Sequence, residues 1–227
     1  MDLDEHKRLM KELRESEPGS IITDGPVDPE RYARAHPRIL WVLREANKGE
    51  DTGSWDLCEF LREHDHDVGH LFSYGRWHVT FGAVAKISLG ILERLPVEKV
   101  ATMKARDAVG TLRDIAVVNV NKRGGRSRVT DWENLKRAAK EFGPLVDRQY
   151  QSLEPDIVIA AGTLDLLSDT LAKQAESFGE EAIDAIPVDH GWMVKCYHTG
   201  QRRLKHHVLY NRICDALNKA GWRHSVR

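Results

Sequence analysis

The sequence predicts an α/β protein: a three-layer α/β/α sandwich around a central four-stranded parallel sheet. Two observations carry this. Four short apolar runs recur along the chain, at residues 39–43, 115–120, 157–161 and 193–197. Each is β-branched or apolar, and each is too short to cross a membrane. Helical stretches separate them, and strands alternating with helices imply a parallel sheet covered on both faces. Right-handed crossovers then bring all four strand ends to one edge, which is where open sheets of this kind bind ligands.

In chain order, residues 1–17 read as an amphipathic helix with Leu3, Met10 and Leu13 as its apolar positions and Pro18-Gly19 as its stop. Residues 18–37 hold Gly19, Gly25 and four prolines (Pro18, Pro26, Pro29 and Pro37), so they read as a loop with room for one short helical turn. The α/β core follows at 38–220, and the whole chain, 1–227, is expected to form a single domain. After the first strand, helices are expected at 55–63, 77–95 and 97–109. The second strand leads to a helix at 132–153 and the third to one at 164–176. After the fourth strand a last helix runs from 203 to 220, ended by Gly221. No internal repeat, low-complexity tract or linker interrupts this order.

With 227 residues the chain can bury a substantial core, and 41 % apolar with 30 % charged residues is ordinary for a soluble globular protein. A net charge of -1 provides no global field that pulls it onto nucleic acid. Local charge is uneven. Between Asn119 and Lys140 seven basic residues face only Asp131 and Glu133, and from Lys195 to Arg227 eight face Asp215 alone. This marks either a polyanion-binding face or two solvated helix faces. Three scattered cysteines without a C-x-x-C form neither a disulfide framework nor a zinc or iron–sulfur signature. No signal peptide or membrane-spanning run is seen, and a reducing cytoplasm is the expected setting. The segment from His64 to His70 resembles a metallo-β-lactamase H-x-H-x-D-H motif only loosely, with Val68 where the aspartate belongs; a solvated loop is expected there, and no metal.

The strand ends carry the chemistry. The first offers Glu45, Asn47 and Lys48; the second Asn119, Asn121, Lys122 and the turn Arg123-Gly124-Gly125-Arg126; the third only Gly162-Thr163; the fourth His198, Thr199 and Gly200, then Arg202 and Arg203. Any one of these can be a loop residue satisfying its own backbone. Three polar sets on parallel strand ends point instead to a site.

The ordered set resembles the uracil-DNA glycosylase superfamily over roughly residues 38 to 215. That family places a motif such as G-Q-D-P-Y, G-E-A-P-G or G-M/I-N-P-G after its first strand, where Arg44-Glu45-Ala46-Asn47-Lys48 stands here. Its second strand ends in a base-reading asparagine, as in N-V-V-K, here Asn119-Val120-Asn121-Lys122. Its third often reads P-D-x-V/I-V/I-x-x-G, here Pro155 to Gly162, and its fourth ends in H-P-S, here His198-Thr199-Gly200. The leading glycine and the proline of the first motif are missing, as are the proline after the histidine and the cysteines of the iron–sulfur branches. A divergent base pocket or a lost activity fits these departures. Some relatives act in phage defence on modified cytosines, which makes such bases a candidate substrate class beside deaminated ones.

The resemblance implies a monofunctional DNA glycosylase without cofactor, metal or iron–sulfur cluster, acting on DNA as a monomer in base excision, DNA repair or phage defence. Glu45 aligns with the acid that activates water and stabilises the sugar cation; its alternative is an exposed carboxylate paired with Arg44 or Lys48. Asn47 holds the same water or caps the next element. Asn119, or Asn121 if the strand ends later, reads the flipped base, an amide offering both donor and acceptor. His198 donates to a base oxygen or bonds a neighbouring loop. Phe72, Tyr74 and Trp77 lie where the family keeps its stacking aromatic. Lys48, Lys122, Arg123, Arg126, Arg128, Arg202 and Arg203 are the expected phosphate contacts. Two other classes compete: a catalytically silent DNA- or protein-binding module on the same fold, and a small-molecule α/β enzyme. The second lacks both G-x-G-x-x-G and G-x-x-x-x-G-K-S/T.

Overall fold

All four apolar runs become strands of one sheet. A computed structural model describes residues 1–47, 53–63, 77–125, 130–167, 169–200 and 204–223. The chain runs through α1 (Leu3–Ser16), the two-residue strands β1 (Ile22–Thr23) and β2 (Gly25–Pro26), α2 (Pro29–Arg34), β3 (Ile39–Asn47), β4 (Trp55–Asp56), α3 (Leu57–Glu63) and α4 (Trp77–Leu92). Then come α5 (Val97–Thr102), α6 (Ala105–Ala108), a 3-10 turn (Val109–Asp114), β5 (Ile115–Gly125), α7 (Trp132–Leu153) and β6 (Ile157–Ala161). A 3-10 turn (Leu164–Leu166), α8 (Asp169–Ala175), β7 (Asp184–Val188), β8 (Gly191–Cys196) and α9 (His206–Lys219) complete the order.

The sheet has six strands in the order β2-β5-β3-β6-β8-β7 and is mixed, two strands more than the four expected. β5, β3, β6 and β8 run parallel to their neighbours. β2 adds antiparallel to β5, and β7 adds antiparallel to β8. Neither edge has a strong sequence signal. β2 is a glycine and a proline. β7 holds Pro187, tolerated because an edge strand has one side without a ladder, and turns back through Asp189-His190 to pair Val188 with Gly191.

Alternation along the inner strands feeds two cores. Ile39, Trp41, Leu43, Ile115, Val117 and Ile159 face α3, α4 and α9, where Leu57, Leu61, Val84, Ile87, Ile213 and Leu217 meet them. Leu40, Val42, Ala116, Val118, Val120 and Val158 face Leu135, Ala139, Val146, Tyr150 and Leu153 of α7. Each such aliphatic side chain contributes about 1.5–3 kcal/mol by leaving water. Trp41 is fully buried, and its indole N–H donates to Ser88 Oγ at 2.9 Å, so that donor is not stranded in the core.

Side-chain caps set the starts of α1, α2, α3 and α7. Asp131 accepts from Asn134 N at 3.0 Å and starts α7. Asp56 accepts from Glu59 N at 2.8 Å, so α3 begins after it, while Trp55–Asp56 pairs with β1 instead of extending the helix. The helix expected at 97–109 is split, because Met103 and Lys104 are extended. α1 docks on α7 through Leu9, Met10, Leu13, Ala138 and Phe142. Among the described residues no helix is long and apolar enough to cross a membrane, and the three cysteines are free.

Candidate functional site

β3 and β5 stay in register as far as Glu45 opposite Asn121, and then slip so that Asn47 faces Gly125. The irregularity ends regular pairing at the sheet edge and re-aims the last residues of both strands. Asn121 Nδ2 donates to Glu45 Oε2 at 3.3 Å, while Asn121 Oδ1 accepts from Arg123 N at 2.9 Å. That backbone donor settles which end of the amide faces Glu45. Gly125 lies against the carboxylate: a Cβ there would come within 2.9 Å of Glu45 Cδ and Oε1. Glu45 is half-buried, and burial raises its pKa above the ordinary carboxylate value. The Asn121 hydrogen bond and Arg44 oppose the rise, and Asp131 adds to it.

Arg44 is turned away from its neighbour. Its Nε donates to Gly162 O at 3.2 Å, its Nη1 to Thr130 Oγ1 at 3.5 Å, and its guanidinium lies 4.4 Å from the ring centroid of Trp132. Gly162 has φ +68°, and a Cβ on it would sit 3.0 Å from Arg44 Nη2 and 3.1 Å from His198 Cβ. Only glycine lets the end of β6 pass between those two side chains. His198 Nδ1 accepts from Gly200 N at 3.0 Å, which places the proton of the neutral ring on Nε2. Burial, and then the Arg44 charge, push its pKa down to about 4. Near neutral pH the ring is therefore an uncharged Nε2–H donor.

Several expected site residues are placed elsewhere. Asn119 is 3 % exposed, and its backbone N and Nδ2 both donate to Asp24 Oδ2, at 2.8 and 3.3 Å, so its donors serve the interior and not the sheet edge. Asn121, the alternative base-reading amide, stands opposite Glu45 but is 1 % exposed, and both ends of its amide are committed, Nδ2 to Glu45 and Oδ1 to Arg123 N. Lys122 is fully buried, with Nζ at 2.7 Å from both Asp24 Oδ1 and Gln149 Oε1. It cannot meet a phosphate, which corrects its placement on the DNA face. Asp24 attracts both because the β2 edge brings it over β5, and an ion withdrawn from water must be paired. Arg123 is half-exposed, but its charge is committed to Glu17 at 2.9 Å and Glu141 at 2.6 Å. Asn47 closes β3 and Trp77 opens α4, but their side chains lie outside what the structure describes. Lys48, Phe72, Tyr74, Arg126, Arg128, Arg202, Arg203 and the 64–70 histidine segment lie outside the described residues. Among the described residues no group of three or more His, Cys, Asp or Glu side chains is placed to hold a metal.

Sequence reasoning named Arg44 only as a pairing partner of Glu45 and Gly162 only as a turn, and it missed Trp132 at this edge and Asp24 beneath it. Trp132 had a misleading signal. It falls on the same helical stripe as Leu135, Ala139, Phe142 and Val146 and reads as core, yet it is 46 % exposed, one turn beyond the buried Leu135. The edge thus combines a carboxylate of raised basicity, a neutral imidazole donor and a pinned guanidinium whose charge acts on both. A base, a donor and a fixed cation suit a hydrolysis in which water is activated on one side of a bond and negative charge builds on the other. Compared with models of known protein families the chain matches none, and it matches no curated protein.

Proposed function

We propose that this protein is a DNA glycosylase of the uracil-DNA glycosylase type, with the parallel β5-β3-β6-β8 core as that fold's central sheet. In this reading it flips out a deaminated or modified base, modified cytosine in phage DNA included, and hydrolyses its glycosidic bond to leave an abasic site. It would act as a cytoplasmic monomer. The observation that carries the reading is the half-buried Glu45, held by Asn121 at 3.3 Å at the strand end where Gly162 fits between Arg44 and His198. Glu45 takes a proton from water, whose oxygen attacks C1′ of the sugar. The C1′–N bond breaks and its electron pair leaves with the base. His198 Nε2–H donates to a base oxygen as that charge develops, and the nearby Arg44 cation lowers its energy further. The raised pKa of Glu45 makes it a better base than an exposed carboxylate.

Duplexes carrying uracil, hypoxanthine, and hydroxymethylated or glucosylated cytosine test the reading through alkali-labile abasic sites. Glu45→Gln, which keeps the Asn121 contact's size, is expected to cut product formation by about 10²–10⁴, and His198→Ala by about 10²–10³. Absence of product from every duplex, with folded protein, refutes the activity. One observation favours a second reading, a silent DNA- or protein-binding module: Asn119, at the family's base-reading position, is spent on Asp24. Unchanged biological effect of the Glu45→Ala and Asn47→Ala proteins would establish it.

A further inference from the structure

The chemistry above makes no use of Trp132. Among the described residues the exposed large apolar side chains are Met1 at the terminus and Trp132 at 46 %. Trp41 is fully buried, and Trp55, Trp192 and Trp222 pack against the core. Trp132 therefore stands apart from the other described tryptophans, and it stands at the strand-end edge. Arg44 occupies one side of its ring at 4.4 Å, itself pinned by Gly162 O and Thr130, so the indole is held in place from beneath. Arg44 immediately precedes Glu45 in β3, so the ring it backs lies at the strand end that carries the proposed reacting carboxylate.

The surroundings select the occupant. Asp131 and Glu133 adjoin Trp132 in the chain, Asp131 accepting from Asn134 N at 3.0 Å and Glu133 tied to Lys136 at 3.2 Å. Neither adjoining residue offers a positive charge to a phosphate, and the Arg44 guanidinium is spent against the ring face, Gly162 O and Thr130. A flat, uncharged, polarizable ring is what such a surface accepts. We propose that Trp132 is a stacking platform for a nucleobase of the bound DNA strand, with Arg44 as its rigid backing. The assignment of DNA as the ligand rests on the proposed function; the platform itself rests on exposure and geometry. It is a contact separate from the aromatics expected at Phe72, Tyr74 and Trp77.

The test uses the full chain and a fluorescein-labelled oligonucleotide carrying an abasic-site analogue, read by anisotropy across a salt series, with base release measured on the same preparations. Trp132→Ala is expected to weaken binding about tenfold, the usual loss for one base–aromatic stack. Trp132→Phe, which keeps a π face, stays within about threefold, and the salt slope stays unchanged because no phosphate contact is lost. Equal affinities for wild type and Trp132→Ala, equal losses in the alanine and phenylalanine proteins, or a changed salt slope overturns the platform. If wild type releases base while Trp132→Ala keeps its KM, the platform falls and the glycosylase reading stands. If wild type releases none but the alanine loss and phenylalanine rescue are seen in binding, the platform stands and the glycosylase reading falls. No DNA binding by wild type overturns both.

Discussion

His6→Gln should flatten the acid limb of the stability profile. His6 lies on the buried face of α1 at 7 % exposure, and its protonation state is dictated by its partners. Lys122 Nζ has only protons to offer, so the Gln149 atom facing it at 2.7 Å is Oε1. Gln149 Nε2 then donates to Asp24 Oδ1 at 3.0 Å and meets His6 Nε2 at 3.2 Å, which must carry a lone pair. Protonating His6 would set N–H against N–H. Burial accordingly depresses its pKa from 6.5 to about 4. Between those values the unfolded chain binds the proton and the native state does not. The stability is thus fully present above 6.5 and is lost as pH falls through the window. At about 1.36 kcal/mol per pH unit the ceiling is about 3.4 kcal/mol, of which about 2 kcal/mol is lost by about pH 5. His198 and His206 shift in the same direction, whereas the raised pKa of Glu45 works in the opposite one. The comparison is therefore with the variant: urea unfolding of wild type and His6→Gln at about pH 7.5 and about pH 5. The variant should lose about 2 kcal/mol less between the two, whatever packing it forfeits at both. Equal losses, or a His6 ring titrating near 6.5 by NMR, would refute the reasoning.

Gly125→Ala should re-aim the Glu45 carboxylate at little cost to folding, because the atoms its Cβ meets at 2.9 Å are the far end of a flexible side chain. Unfolding midpoints should move by less than about 1 kcal/mol while base release drops about tenfold or more; unchanged release would show that the carboxylate's position does not matter. Lys122→Met leaves Asp24 buried without its cation and should cost about 3–5 kcal/mol in urea unfolding, much of it restored by adding Asp24→Asn. The same Lys122→Met protein, assayed below its unfolding midpoint, should keep the wild-type salt slope for DNA, since a buried ammonium touches no phosphate.

The strands at 39–43 and 157–161 and the helix at 132–153 were legible because their evidence is local: a continuous apolar run for each strand and a helical stretch between two of them. Glu45 and His198 were legible as candidates because strand ends follow from the strands. β2 was not, since Gly25-Pro26 has no pattern of its own and becomes a strand only by pairing with Val117 and Ala116. That pairing carries Asp24 to Asn119 and Lys122, and so decides that one expected base reader and one expected phosphate contact are interior groups.

What the sequence by itself determined is the succession of elements and the edge on which polar residues gather, because periodicity and turn chemistry act between near neighbours. Which of those polar residues face solvent was decided by the tertiary structure alone. Asp24 meets Lys122 across 98 positions of chain, Asn121 meets Glu45 across 76, and Arg44 reaches Thr130 across 86. A charge's fate depends on whether a partner arrives to replace water, and no local pattern encodes a partner that distant.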